Sequence, residues 1–217
     1  MKKFLVALLL TVPFLSLAGQ KPVEITAKSW IVSSQGQILR GKNTTEVRSI
    51  ASITKLMTVM VYLDAYKSLN LKIDQNRVQR ALVSSDNRAA KELCESYPGG
   101  YGDCIFMMNF KAKEMGLNHT NFFDATGLSV FNYSNTEDLV KIVDTASTYP
   151  EIVEASRIKK HNTNPTISKY DYTISKTGYI NVAGGCVVAK VKDKIVVILG
   201  SKNVRTRFVE LEQLLRA

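Results

Sequence analysis

The sequence predicts an α+β fold, in which one antiparallel sheet is built from both ends of the chain and packs beside a mostly helical lobe. Segments rich in β-branched residues lie near both termini, and helical patterns fill the middle of the chain. We therefore expect one domain over residues 19–217, with a sheet lobe from about 27–50 and 172–217 and a helical lobe from about 52–160. We see no internal repeat or linker that would separate independent domains.

The first strands and the central helix come early in the chain. Alternating residues predict strands at 27–33 and 37–40 around a Ser34-Gln35-Gly36 turn. The segment from Ser52 to about Lys67 is apolar on nearly every face, which is typical of a helix in the middle of a core.

Four further helices are predicted. The first spans 87–97, and the second spans 103–115 and stops at Gly116. The third opens at a capping box, Ser134-Asn135-Thr136-Glu137. The last, at 205–215, is amphipathic and is expected to cover the sheet.

The C-terminal strands of the sheet precede that last helix. Runs of β-branched residues predict strands at 172–183, 186–191 and 195–199. Gly184-Gly185 and Lys192-Asp193 predict the tight turns that join them.

Residues 1–18 predict a secretory signal peptide. Two lysines precede a mostly apolar run that ends in small residues at Ala18. A membrane anchor is the alternative, but the run is short for a span and contains Pro13. We therefore expect cleavage, a secreted or periplasmic protein of the cell envelope, and no stable membrane anchor afterwards.

The chain is basic. It carries 29 Lys and Arg against 19 Asp and Glu, a formal net charge of +10, to which the predicted signal peptide contributes two lysines. This charge suits an anionic polymer, and it equally suits an ordinary soluble surface. The sequence has no dense basic run or aromatic-basic motif, so we expect no nucleic-acid partner.

The cysteines and histidines limit the kinds of site that the sequence predicts. Cys94 and Cys104 flank a loop that would let them meet, although their spacing alone does not decide whether they bond. Cys186 lies in an apolar strand and is expected to be a small core residue. His119 and His161 have no ligand-like neighbours, so we predict surface histidines, no metal site and no cofactor.

Three short motifs carry the functional prediction: Ser52-Ile53-Thr54-Lys55, Ser85-Asp86-Asn87 and Lys176-Thr177-Gly178. Alone, the second is typical of a helix cap and the third of a strand next to a bend. Together, S-x-x-K, S-D-N and K-T-G are the triple of enzymes that use the serine as a nucleophile. The sequence therefore predicts a serine acyl-transferase.

Ser52 and Lys55 are the predicted nucleophile and base. Three residues apart on a helix, they share a face, and the first turn of a helix favours negative charge on the serine oxygen. A serine hydroxyl needs a base beside it, and Lys55 is the natural candidate. Because a lysine acts as a base only when it loses its proton easily, we expect burial, and Lys176 if it lies near, to lower the pKa of Lys55.

The second motif supplies two predicted catalytic side chains. We expect Ser85 to relay a proton to the leaving amine. We expect Asn87 to orient Lys55 and to accept a hydrogen bond from the substrate's amide N–H.

The third motif is predicted to bind substrate. Lys176 and Thr177 are expected to bind a substrate carboxylate, while Gly178 leaves room for the substrate backbone. The backbone N–H groups of Ser52 and Tyr179 would form an oxyanion hole.

With these motifs, the chain resembles the low-molecular-mass penicillin-binding proteins, which are serine D-alanyl-D-alanine carboxypeptidases and endopeptidases. The similarity runs from about Lys28 to Leu215. Besides the segments around the three motifs, it is carried by three stretches: Thr126-Gly127-Leu128-Ser129, the capping segment at Ser134, and Ala183-Gly184. The resemblance implies a β-lactamase- and transpeptidase-like fold with a five-stranded sheet.

The resemblance also implies acyl-enzyme chemistry on peptidoglycan stem peptides. Ser52 would attack the carbonyl between two D-residues and release the C-terminal one, and water would then hydrolyse the ester. β-Lactam antibiotics, which mimic that dipeptide, would acylate the same serine as covalent inhibitors. The chain ends after the closing helix, without the C-terminal β-domain of many carboxypeptidases, so the endopeptidase-like branch is the better match.

Two alternatives share the fold. A class A-like β-lactamase needs a glutamate for deacylation, and Glu114-Met115-Gly116-Leu117-Asn118 matches its E-x-x-L-N pattern. That glutamate, however, falls in the last turn of a regular predicted helix. A non-catalytic peptidoglycan- or penicillin-binding sensor would keep the fold without the activity, but no motif residue is broken here.

Overall fold

The computed structural model describes residues 24–216, so the predicted signal peptide at 1–18 lies outside the described residues. Within them, the strands are β1 Ser29–Ser34, β2 Gln37–Lys42, β3 Arg48–Ser49, β4 Tyr133–Ser134, β5 Tyr172–Ile180, β6 Gly184–Val191 and β7 Lys194–Ser201. Five of them form one sheet in the order β2-β1-β7-β6-β5, and every neighbouring pair is antiparallel. The prediction of one antiparallel sheet built from both ends of the chain is confirmed.

The helices fill the middle of the chain and close its C-terminal end. They are α1 Lys55–Ser68, α2 Gln75–Val83, α3 Asn87–Glu95, α4 Gly100–Glu114, α5 Thr136–Ala146, α6 Pro150–Arg157 and α7 Thr206–Arg216. The helices α2 and α6 were not predicted. Over residues 24–216, no helix is both long and apolar enough to cross a membrane.

The central helix α1 is buried on nearly every side, as its sequence predicts. All of its residues from Lys55 to Leu63 are buried. The larger core cluster surrounds this helix and extends to one face of the sheet, and a second cluster joins the other face to α7. A lysine at the start of α1 is therefore placed inside the protein rather than at its surface.

The predicted capping box was wrong by one residue. Asn135, not Ser134, caps α5, because its side chain accepts a hydrogen bond from the backbone N–H of Asp138 at 2.8 Å. Ser134 belongs to β4 and pairs with Arg48, and its hydroxyl lies 2.7 Å from that of Thr120. The strand pairing holds Ser134 in extended backbone and shifts the cap by one position.

One predicted turn was also wrong. Gly184 and Gly185 lie in β6, and the turn from β5 is made by residues 181–183. A Cβ on Gly185 would lie 2.7 Å from the carbonyl oxygen of Asn203, so this glycine permits a close backbone approach. The other predicted turn, Lys192-Asp193, is confirmed.

Cys94 and Cys104 form a disulfide with a Cα–Cα distance of 5.4 Å. The bond joins α3 to α4. Cys186 is buried, and both His119 and His161 are exposed, as predicted.

Candidate active site

Ser52 lies in a short 3-10 helix, Ala51–Thr54, immediately before α1. The prediction that it sits on the same regular helix as Lys55 was therefore slightly wrong, although the two side chains still meet. Ala51 has a φ of 46°, a left-handed conformation that is costly for a residue with a Cβ. Strained backbone of this kind concentrates at functional sites and turns the Ser52 side chain toward the crevice between sheet and helices.

The Lys55 ammonium links the first two motifs. Nζ lies 2.8 Å from Oγ of Ser52 and 2.8 Å from Oδ1 of Asn87, and it donates to the carbonyl oxygen of Thr126 at 2.6 Å. These three acceptors match the three donors of an ammonium group. The amine is therefore fixed beside the serine oxygen.

Burial lowers the pKa of Lys55 from 10.5 to about 8, while the negative charges of Asp124 and Asp86 partly oppose that change. The predicted direction is confirmed, and burial is its main cause. Lys176 is not needed to explain it. A substantial fraction of Lys55 is then neutral near pH 8 and can accept the proton of Ser52.

Lys176 lies on β5 and faces Ser85. Its Nζ donates to Oγ of Ser85 at 2.8 Å and to the carbonyl oxygen of Thr177 at 2.9 Å. Burial, followed by the positive charges of Lys55 and Arg207, holds the pKa of Lys176 well below its usual value. A bound carboxylate would reverse this effect and favour the charged amine.

The Ser85-Asp86-Asn87 motif is both a helix cap and part of the crevice. The Asp86 carboxylate accepts a hydrogen bond from the backbone N–H of Ala89 and caps α3. Ser85 has a φ of 59°, again left-handed, and this conformation lets its side chain reach Lys176. The cap interpretation and the functional one therefore apply to different residues of the same tripeptide.

Two glycines lie in close contact with the backbone of the Ala51–Ser52 peptide. A Cβ on Gly127, whose φ is 84°, would lie 1.9 Å from the carbonyl oxygen of Ala51. A Cβ on Gly178 would lie 2.9 Å from the backbone nitrogen of Ser52. Only glycine fits at either contact, because the opposing atoms belong to the backbone. The third motif thus lies directly against the first.

A loop anchored by Asp124 presents the carbonyl of Thr126 to Lys55. The Asp124 carboxylate accepts hydrogen bonds from the backbone N–H groups of Thr126, Gly127 and Ser129 and from the Thr126 hydroxyl. Burial alone would raise the pKa of Asp124, but these hydrogen bonds outweigh it and the pKa is lowered. The carboxylate keeps the loop in one conformation and the carbonyl in place.

The structure brings together side chains from all three motifs: Ser52, Lys55, Ser85, Asn87 and Lys176. Thr177 meets Lys176 through its backbone carbonyl, and its hydroxyl bonds outside the motifs. Tyr179 follows them on β5 with 46% of its surface exposed. Sequence reasoning missed the carbonyl of Thr126, and it missed Thr163, whose hydroxyl accepts a hydrogen bond from that of Thr177 at 2.7 Å. The stretch from Thr126 to Ser129 carries part of the resemblance, without a predicted role for this carbonyl, and no motif marks Thr163.

Glu114, the glutamate on which the β-lactamase alternative depends, does not lie among the motif residues of the crevice. Glu114 is the exposed last residue of α4, where the sequence predicted it. It lines a separate surface cavity of about 290 Å³ with Asp64, Tyr97 and Phe110. No hydrogen bond joins it to the motif residues within the described part of the chain.

Comparisons with known proteins agree with this geometry. The profile of the D-alanyl-D-alanine carboxypeptidase family matches residues 16–78 and 75–203. The D-alanyl-D-alanine endopeptidase of Escherichia coli K12 is 34% identical and is aligned over 97% of this chain and 86% of its own length. A D-alanyl-D-alanine endopeptidase of Pseudomonas aeruginosa is 32% identical over 77% of this chain and 67% of its own length.

Solved structures give the same result for the fold. Penicillin-binding protein D2 from Listeria monocytogenes, in its ampicillin-bound form, superimposes with a TM-score of 0.78 at 25% identity. The match covers 89% of this chain and 98% of that protein. The predicted fold class is thereby confirmed.

Proposed function

Because the chain belongs to the D-alanyl-D-alanine carboxypeptidase family, we propose that Ser52 is the nucleophile with which it cleaves D-alanyl bonds in peptidoglycan stem peptides. The chain is a serine DD-peptidase. The observation that carries the assignment of Ser52 is the 2.8 Å contact between its hydroxyl and the buried Lys55 amine. A nucleophile needs such a base within hydrogen-bond reach.

In the acylation step, neutral Lys55 takes the proton of the Ser52 hydroxyl as the oxygen attacks the carbonyl between two D-residues. The backbone N–H groups of Ser52 and Tyr179 stabilise the oxyanion that forms. The close approach of Gly178 to the backbone nitrogen of Ser52 supports this pairing of donors. One such donor typically contributes about 3–4 kcal/mol to catalysis.

Breakdown of the tetrahedral intermediate requires a proton for the leaving amine. Ser85 passes its hydroxyl proton to the amine and takes one from the Lys176 ammonium, which donates to its Oγ at 2.8 Å. When water later hydrolyses the ester, Lys55 returns the proton of Ser52 to the serine oxygen, and Lys176 regains its proton from the water.

Asn87 accepts a hydrogen bond from Lys55 through its Oδ1, so the expected acceptance from a substrate amide N–H is replaced here by donation. Its NH₂ group, which has no partner within residues 24–216, can turn toward substrate carbonyl groups. The amide thus serves Lys55 and the substrate through different atoms.

The carboxylate of the substrate binds at Lys176 and Thr177. Lys176 is buried and has no carboxylate partner among the described residues, so an incoming carboxylate gains a charge-assisted hydrogen bond. The Thr177 hydroxyl donates to that of Thr163 at 2.7 Å, and it would turn from Thr163 to the carboxylate when substrate binds. Water then hydrolyses the acyl-enzyme, and a β-lactam, whose ester is slower to hydrolyse, remains bound as an inhibitor.

We place this activity in the periplasm or outside the cell, after removal of residues 1–18 as a signal peptide, with 19–217 as the catalytic domain. The names of the E. coli and P. aeruginosa relatives favour cleavage of cross-links over trimming of free stem peptides. Peptidoglycan lies outside the cytoplasm, which agrees with the charged and apolar pattern of the N-terminal segment.

The test is digestion of purified muropeptides, both monomeric and cross-linked, with mass analysis of the products. The wild type should cut cross-linked dimers into monomers, and Ser52→Ala should leave them intact. Ser68→Ala, at the exposed end of α1, serves as the matched control and should behave as the wild type. If wild type and Ser52→Ala both leave every muropeptide intact, the proposal is wrong.

A further inference from the structure

Arg207 is a buried cation beneath the crevice that the steps above do not use. It is the second residue of α7, and only 4% of its surface is exposed. Its Nη1 donates to the carbonyl oxygens of Gly178 and Cys186, the latter at 3.3 Å. Among residues 24–216 it forms no ion pair. Burial lowers its pKa to about 10, as expected for a guanidinium without a carboxylate beside it.

The carbonyl of Gly178 belongs to the same peptide unit as the backbone N–H of Tyr179. That unit is trans, because the described residues contain no cis peptide bond. The C=O and N–H of a trans peptide point in opposite directions. With Arg207 on the carbonyl, the N–H of Tyr179 therefore points away from Arg207.

The strand geometry shows which side that N–H faces. Backbone groups of residues two apart in a strand point to the same edge. The carbonyl of Thr177 faces the crevice, since it accepts a hydrogen bond from the Lys176 amine. The N–H of Tyr179 shares that edge, and β5 is the terminal strand of the sheet, so no strand within residues 24–216 pairs with that edge.

We propose that Arg207 is a positioning residue for the oxyanion hole, acting through the Gly178–Tyr179 peptide. Its guanidinium fixes the carbonyl end of this unit, and its charge polarises the amide so that the N–H of Tyr179 becomes a stronger donor. The inference rests on the proposed function, because it assigns a purpose to the Tyr179 N–H only if that group binds the oxyanion. Arg207 itself does not touch substrate.

The surroundings of Arg207 favour this indirect role. The guanidinium lies over the ring of Phe208, 4.7 Å from its centroid, and Phe208 packs in the core cluster between α7 and the sheet. Two carbonyls already occupy Nη1. A substrate carboxylate would have to open the core contacts around the guanidinium to reach it, because only 4% of the Arg207 surface is exposed.

The experiment separates binding from acylation with a chromogenic cephalosporin. Stopped-flow traces at several concentrations give the first-order acylation constant and the dissociation constant of the initial complex. We expect Arg207→Gln to lower the acylation constant by about 10- to 100-fold, less than for complete removal of a donor, with little change in the dissociation constant. Arg207→Lys, which keeps the charge, should be intermediate. Arg205→Gln, an exposed neighbour with the same loss of charge, should match the wild type.

A spectroscopic reading distinguishes positioning from mere stability. The amide proton of Tyr179 should move upfield in both Arg207 variants, because the peptide is less polarised, and should stay in place in Arg205→Gln. If Arg207→Gln does not fold, the inference is tested with Arg207→Lys alone, through the chemical shift of the Tyr179 amide proton and the first-order acylation constant.

Two results overturn the inference. One is a folded Arg207→Gln variant that the cephalosporin acylates at the wild-type rate. The other is a variant in which only the dissociation constant of the initial complex rises, which would mean that Arg207 binds the ligand. A wild type that is not acylated at all would overturn the proposed function as well.

Discussion

The crevice and the outer face of α2 and α3 hold their cations in opposite ways. On the outer face, each arginine has a carboxylate partner: Arg77 with Asp74 and Glu92, Arg80 with Asp86, and Arg88 with Glu92, at 2.5–3.0 Å. In the crevice, Lys55, Lys176 and Arg207 are buried and bond only to hydroxyl, amide and carbonyl oxygens.

The paired cations of the outer face and the unpaired cations of the crevice differ in their effect on stability and on pKa. Exposed ion pairs contribute little to stability, since water already solvates both charges. A buried cation without a carboxylate is costly, and its pKa falls toward the neutral form. Under the proposed function, the crevice gives up stability and gains a lysine that can act as a base and a site that can receive an anionic group of the substrate. The predictions below test this contrast.

The largest effect is expected from Lys55→Met. Loss of the base should lower the rate constant for acylation by a β-lactam by about 10²–10⁴-fold, the usual contribution of a general base. Lys67→Met is the matched control, because Lys67 lies on the same helix, is exposed, and pairs with Glu151 at 2.9 Å. Stopped-flow acylation of both variants checks the prediction. Equal rates for Lys55→Met and the wild type would remove Lys55 from the mechanism.

Gly178→Ala should also reduce acylation strongly. The new Cβ would lie 2.9 Å from the backbone nitrogen of Ser52 and 3.0 Å from the carbonyl oxygen of Ile50, so β5 must move away from the nucleophile. Overpacking of this kind typically costs about 1–3 kcal/mol of unfolding free energy. Urea unfolding and acylation rates measure both effects.

Gly102→Ala gives the contrast, because a Cβ there meets no atom within 4 Å and the residue is in α4. It should stabilise the protein by up to about 1 kcal/mol, the difference in helix propensity. If Gly178→Ala were equally harmless, the contact between the first and third motifs would be wrong.

The disulfide beside α3 should affect stability far more than catalysis. Replacing both Cys94 and Cys104 by Ala opens a short loop, which should lower the free energy of unfolding by about 2–3 kcal/mol. The folded variant should keep most of its acylation rate, since the bond joins α3 and α4 away from the Lys55 amine. A large loss of rate in fully folded protein would show that the disulfide also positions Asn87.

The smallest effect is expected on the paired outer face. Arg88→Gln removes one ion pair with Glu92, and Arg88 has a largely exposed side chain. The melting temperature should change by less than about 2 °C, and the acylation rate should not change. Differential scanning calorimetry would detect a larger shift, which would contradict the view that this face is energetically minor.

The sequence predicted the side chains of the site better than the residues that hold them in place. Three motifs named the side chains that meet in the crevice, because their chemistry requires particular residue types at particular spacings. The stretch from Thr126 to Ser129 carried part of the family resemblance, but Thr126 contacts Lys55 through a backbone carbonyl, which any residue could supply, so its role was not predicted. Arg207 carried a signal that was overlooked: it lies four residues before Leu211 on the buried stripe of α7, where an arginine needs a reason.

The fold was predicted in outline and missed in detail for local reasons. The helices α2 and α6, of nine and eight residues, were missed, although α3, also of nine residues, was predicted from apolar positions on one face. The cap of α5 is Asn135 and not Ser134, because Ser134 belongs to β4. The partner of Ser134 in that strand pair, Arg48, is distant in sequence. Likewise, Gly185 serves a contact with the carbonyl of Asn203, which no local turn signal reveals.

The most direct test of the central contrast is the pKa of Lys55 in the free enzyme. The side-chain amine can be followed by NMR from high to low pH, with Lys55→Met used to assign its signal. We expect the signal to titrate near pH 8, and the acylation rate to rise with pH through the same value as the neutral amine accumulates. A titration near 10.5, with no matching limb in the rate, would mean that burial does not prepare this lysine as a base.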